Sequence, residues 1–265
     1  MKSILQAAAA GLALATASMA VTPASLQAAD AEPVYELRIY TTNEGKLPDL
    51  LKRFRDHTCK LFEKHGMTNL GYWVPVDKEN GADTTLIYVL SHKSRDAAKA
   101  SFKAFGEDPE WKSVREASEA NGKILAKPPE SIFMTRTEFS PELKVSASSP
   151  ERVFELRTYT TNPGKLPALH ARFTNHTVKL FEKHGMTNLC YWTPTDAEQG
   201  HDNKLIYILA HASKEAGLAS FNAFRADPVW IAAKGESEKD GSLTIPQPDG
   251  VKSVYMKPVD FSLIK

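Results

Sequence analysis

His65 and His184 close the long helix inside two copies of one eleven-residue block, Lys60 to Leu70 and Lys179 to Leu189. At the carboxyl end of a helix the dipole favours imidazolium, so beside a pocket either histidine could act as an acid or a ligand. The same position also suits a histidine with no chemistry, because helix ends gather cations for dipole reasons alone. A second constellation is Glu36, Arg38 and Tyr40, matched by Glu155, Arg157 and Tyr159. A carboxylate and an arginine enclosed together either satisfy each other as a structural ion pair or grip a polar ligand. Trp73 and Trp192, each preceded by a tyrosine, offer broad apolar surface for a pocket between sheet and helices, or for ordinary core. Trp111 and Trp230 read as anchors that pin a helix to the core.

Other chemistries lack their residues. His57 and His65 lie about 80° apart around a regular helix and about 12 Å apart along it, too far to clamp one metal. The chain contains no HxxxH, CxxC, phosphate loop, GxSxG elbow or dinucleotide fingerprint, so no metal and no cofactor is expected. A formal net charge of +1, with acids and bases interleaved, leaves no basic stripe for nucleic acid. Cys59 aligns with Val178 and Cys190 with Gly71, so the cysteines are either a bridge between repeats or two separate thiols.

The elements that must position these residues repeat at a constant offset of 119 residues, as Lys60 to Lys179 shows, which suits a small domain rather than a solenoid unit. Val34 to Thr42 alternates as a strand, with Tyr35, Leu37 and Ile39 on one face and Glu36, Arg38 and Tyr40 on the other. Leu47 to His65 follows 3.6-residue spacing and ends at Gly66, as a left-handed cap would end it. Strands are predicted over Thr68 to Val76, Thr84 to Ser91 and Ile132 to Phe139, with helices capped by Ser94 and started by Asp108-Pro109. The order is βαββαβ, a ferredoxin-like unit of the α+β class. Its uncovered sheet face calls for the sheet of the second repeat, which would place Glu36, Arg38 and Tyr40 inside a barrel and leave the helices over Leu37 and Ile39. The second copy gains three residues before its last strand, and Pro258 there suggests an early end or an edge.

Residues 1–31 read as a secretory signal peptide and short tail: Lys2 is followed by an Ala-rich apolar run and by small residues at two cleavage positions, near Val21 and Glu32. The reading implies export to the periplasm or extracellular space, with no membrane span after cleavage. Domain one is expected over 32–139, a Ser/Pro-rich linker over 140–151 and domain two over 152–265.

Tyr35-Glu36-Leu37-Arg38-x-Tyr40, Gly45-Lys46, Phe62 through His65-Gly66, Gly71-Tyr72-Trp73 and Asp108-Pro109-x-Trp111 together resemble the NIPSNAP family, over nearly all of both repeats. The second copy departs at Phe154 for Tyr35 and Cys190 for Gly71. The resemblance implies a dimeric α/β barrel closed here within one chain, and brings no agreed reaction and no catalytic residues. Relatives in fold include cofactor-free monooxygenases, stress-responsive barrels and haem enzymes, so a function moved across that likeness is analogy. The reading that follows is a binding protein for a small apolar molecule or a protein partner, with Arg38, Tyr40, His65, Trp73, Arg157, Tyr159, His184 and Trp192 as candidate ligand residues. The rivals are a monooxygenase-like or isomerase-like enzyme using His65 or His184 as acid or base, and a haem binder.

Overall fold

The computed structural model describes residues 32–143 and 151–265. The expected signal peptide and the centre of the expected linker lie outside the described residues. Repeat one runs β1 (Val34–Thr41), α1 (Leu47–Arg53), α2 (Cys59–Lys64), β2 (Thr68–Pro75), β3 (Thr85–His92), α3 (Arg95–Glu107), α4 (Pro109–Ser118) and β4 (Glu130–Arg136). Repeat two runs β5 (Val153–Thr160), α5 (Leu166–Arg172), α6 (Val178–Lys183), β6 (Thr187–Pro194), β7 (Lys204–His211), α7 (Lys214–Ala226), α8 (Pro228–Ser237) and β8 (Val251–Pro258).

Local chemistry sets the boundaries. Ser94 Oγ accepts from the Ala97 amide at 3.0 Å, and the Asp108 carboxylate accepts from the Glu110 amide at 2.8 Å, so two orphan helix donors are met. Pro109 and Pro228 fill first-turn positions that need no donor. Gly66 ends the long helix at φ +79°, a conformation that a Cβ would strain.

The eight strands close into one barrel in the order β1-β3-β2-β8-β5-β7-β6-β4. Each repeat supplies half, and the last strand of each crosses to the other: β8 pairs with β2 through Trp73 and Pro258, and β4 with β6 through Arg136 and Trp192. Pro258 therefore ends its strand but borders no free edge. Arg95 pairs with Asp196 and Lys214 with Asp77, reciprocal ion pairs between the repeats.

The faces are the reverse of those expected from strand parity. Tyr35, Leu37 and Ile39 pack inside the barrel with Phe154, Leu156 and both candidate tryptophans. Glu36, Arg38 and Tyr40 face the helices, where Tyr40 packs on Phe54 and the Arg38 guanidinium lies 4.6 Å from the Phe102 ring centre. Alternation separates two faces without saying which turns inward, and desolvation decides it. A closed barrel offers a charge no route to water, whereas the helix layer lets an arginine lay its stem on apolar surface and keep its head near solvent. Trp73 and Trp192 are likewise barrel core, each 1% exposed. Trp73 lies 5.6 Å from Phe154, and Tyr35 lies 5.7 Å from Trp192, aromatic pairs that join the repeats.

Candidate ligand sites between helices and barrel

The long helix is not regular. Between α1 and α2 the chain makes a π-helical turn, Phe54–Thr58, and repeat two does the same at Phe173–Thr177. The widened turn frees the Arg53 carbonyl, which accepts from Thr58 Oγ1 at 3.1 Å; Thr177 does the same for Arg172 at 3.2 Å. Turns of this kind interrupt helices where function demands a particular side-chain direction. Here the residue before each turn is an arginine only 5% exposed.

Arg53 Nη1 donates to Ser118 Oγ at 3.2 Å and lies 3.5 Å from Glu119 Oε1, while the guanidinium carbon sits 5.3 Å from the Trp111 ring centre. Arg172 repeats the arrangement on Ser237, Glu238 and Trp230. The Nε of each is buried with no hydrogen-bond partner. Burial holds the Arg53 pKa below its ordinary value, with Glu119 opposing the shift.

Each arginine borders a cavity between the helix pair and the outer face of the barrel. In repeat one it measures about 520 Å³, with Tyr40, Phe54, Phe62, Phe105 and Trp111 in its walls. In repeat two it measures about 870 Å³, with Tyr159, Phe221, Phe224 and Trp230. The linings are cationic: Arg53, Arg115, Lys123 and Lys127 against Glu119 in one, Arg157, Arg172, Arg225 and Lys234 against Glu238 in the other. Aromatic walls with a positive lining suit an apolar molecule carrying an acid group.

Beneath each cavity lies a charged cluster complete within its own repeat. Glu36, fully buried, accepts from Arg38 and from Ser131 Oγ at 2.6 Å, and His92 Nε2 stands 2.8 Å from its other oxygen. Glu155 is held the same way by Arg157, Ser253 at 2.5 Å and His211 at 2.9 Å. Burial pushes Glu36 toward neutrality, but His92, Arg38 and Ser131 outweigh it and hold its pKa below the ordinary value. For Arg157, too, burial opposes the charge, and Tyr159, Tyr207 and Glu155 restore it and raise the pKa. Each repeat thus satisfies its own buried charges.

Of the candidates taken from sequence, Tyr40, Arg157 and Tyr159 line the cavities. Arg38 is not a wall of the first; its head is engaged by Glu36, Tyr88 and Tyr40. Trp73 and Trp192 are elsewhere, in the barrel. His65 Nε2 is 2.7 Å from Asp108 Oδ2 and His184 Nε2 is 2.8 Å from Asp227 Oδ2, so both brace the long helix against the cap of α4 or α8. No histidine lines either cavity among the described residues. Cys59 and Cys190 are free, which leaves no bridge between repeats. Arg53, Arg172, His92 and His211 were missed. The one sequence signal for the arginines was their matched place before Phe54 and Phe173 in a helix rich in apolar residues.

Known proteins resemble this chain. A "Protein NipSnap homolog" of Dictyostelium discoideum is 26% identical over 200 residues, 75% of this chain and 78% of the relative. The crystal structure of a candidate monooxygenase from Fusobacterium nucleatum superposes with a TM-score of 0.52 at 12% identity, over 88% of this chain and 98% of that one. One from Lactobacillus acidophilus gives 0.51 at 12% identity, over 85% and 93%. At such identities the likeness shows the barrel alone. The NIPSNAP family model matches residues 35–141 and 154–262, and with one match in each half of the barrel the chain belongs to the NIPSNAP family as a tandem pair of its domains.

Proposed function

We propose that this protein, once exported, binds a small amphipathic acid in the pocket between helices and barrel of each repeat. The observation that carries the reading is the pair Arg53 and Arg172: two buried arginines, each with an unmet Nε donor, each bordering an aromatic cavity, each placed by a π turn. Leaving a buried donor unmet costs about 1 to 3 kcal/mol, which a ligand acid entering beside it would help to offset. Export rests on the N-terminal sequence pattern. A histidine acid or a haem-ligating histidine has no support from the cavities, whose walls lack that residue among the described positions.

The test uses 8-anilinonaphthalene-1-sulfonate, an aromatic anion, beside its uncharged counterpart N-phenyl-1-naphthylamine, in calorimetric titrations of the mature chain. The anion should bind at two sites and at least about tenfold more tightly than the neutral dye, the scale of one charge-assisted hydrogen bond. Arg53→Lys with Arg172→Lys should remove most of that preference. Equal affinity for the two dyes would refute the acid-binding reading.

A further inference from the structure

The two cavities differ where the repeats differ in length. In repeat one Leu125 to Pro129 forms a continuous wall. Repeat two carries three more residues between the equivalent bridge, Thr161 to Thr244, and Val254 of β8, which pairs with Leu156 as Ile132 pairs with Leu37. Of this longer segment only Thr244 and Gln247 line the cavity before β8 begins. The space thereby extends to Val251 and Ser253 of β8 and to Arg157 of β5, whereas Ser131 and Arg38 do not line the first cavity. Side chains change in the same direction. Ile231, 58% exposed at the rim, stands where repeat one has Lys112, and Gly235 stands where it has Glu116.

Resting on the reading of these cavities as acid-binding pockets, we propose that repeat two holds the principal ligand site, made so by the three-residue insertion. It takes a larger amphipathic acid than repeat one admits, and offers that acid three guanidinium groups, Arg172, Arg157 and Arg225, where repeat one offers Arg53 and Arg115. Arg157 uses Nε on Tyr207 Oη at 3.0 Å, Nη2 on Tyr159 Oη at 3.3 Å and Nη1 on Glu155. A guanidinium has five N–H donors, so two remain for a ligand that reaches the cavity floor. Ile231 gives the apolar end of the ligand an apolar rim where repeat one carries the charge of Lys112. Repeat one, closed by its short wall, holds a smaller acid, and its Arg38 keeps a structural task.

The full mature chain is titrated with 8-anilinonaphthalene-1-sulfonate, with the melting temperature recorded for each variant. Two classes of site separated by about tenfold are expected, the difference that one further charged hydrogen bond supplies. Replacing residues 245–252 by Ala-Lys-Pro-Pro-Glu, the sequence of 126–130, should weaken the tight class to the level of the other. Arg157→Lys, which keeps a cation beside Glu155 but loses the planar fork, should weaken the tight class alone, and Arg53→Lys the weak class alone. Two equal sites in the wild type, or a tight class unchanged by both the loop replacement and Arg157→Lys, would overturn the inference while leaving the acid-binding reading standing. A folded wild type that binds no dye would instead overturn that reading itself.

Discussion

Arg38→Met removes the cation from a carboxylate that has no access to water. Glu36 is fully buried, and without Arg38 it keeps only Ser131 at 2.6 Å and His92 at 2.8 Å. Breaking one partner of a buried pair costs about 3 to 5 kcal/mol, out of the roughly 5 to 15 kcal/mol that holds a domain folded. At about 2 to 4 °C per kcal/mol for a unit of this size, the melting temperature at pH 8 should fall by about 6 to 20 °C. The loss should shrink at pH 5. With Arg38 gone, burial dominates and raises the Glu36 pKa, so protonation relieves the unpaired charge as pH falls. Arg38→Met with Glu36→Gln should recover part of the loss, because no buried charge is left alone. Since each cluster is complete within its repeat, Arg38→Met and Arg157→Met should add independently. Calorimetric melts of the two singles, the rescue double and the Arg38/Arg157 double, at both pH values, measure all of this. A Tm change under about 2 °C for Arg38→Met at pH 8, or strong coupling between the two arginines, would refute the reasoning.

His65→Ala removes a brace at a helix end, not a cavity wall, so it should lower the melting temperature far less than Arg38→Met and leave dye affinity within about twofold. Acid should destabilise the fold. Glu36 and Glu155 have depressed pKa values, so their contribution is complete above the unfolded value near about 4.3 and disappears as pH falls through the folded values; urea midpoints should drop below pH about 4, and less so in Glu36→Gln. Gly217→Ala should destabilise, because its Cβ would lie 3.0 Å from both Tyr255 Oη and His211 Cγ, and adding Tyr255→Phe should restore part of the loss, since repeat one combines Ala98 with Phe133; thermal melts of the single and double variants decide. Burial pushes the Cys59 thiol up to about 11 and the Cys190 thiol up to about 12, so both should resist a thiol reagent in the native protein at pH 8 and react at once in denaturant.

The order of elements was legible because each has local chemistry: strand alternation from Val34, the Ser94 and Asp108 caps, the Gly66 stop and the repetition itself. The likeness of Glu36-Leu37-Arg38 to Glu155-Leu156-Arg157 was legible too, and with it a duplicated barrel. Three things were decided only in three dimensions. The π turns at Phe54–Thr58 and Phe173–Thr177 look like helix in sequence, because one extra residue per turn changes the spacing too little to show across a short apolar stripe. Arg53 and Arg172 became site residues only when those turns set them against Trp111 and Trp230. Which face of β1 turned inward was undetermined by alternation, since period two assigns Arg38 and Leu37 to opposite sides and says nothing of what covers either. Closure of the barrel by β2–β8 and β4–β6 pairing settled that, because only the helix side then left the arginine head of the cluster a path to water.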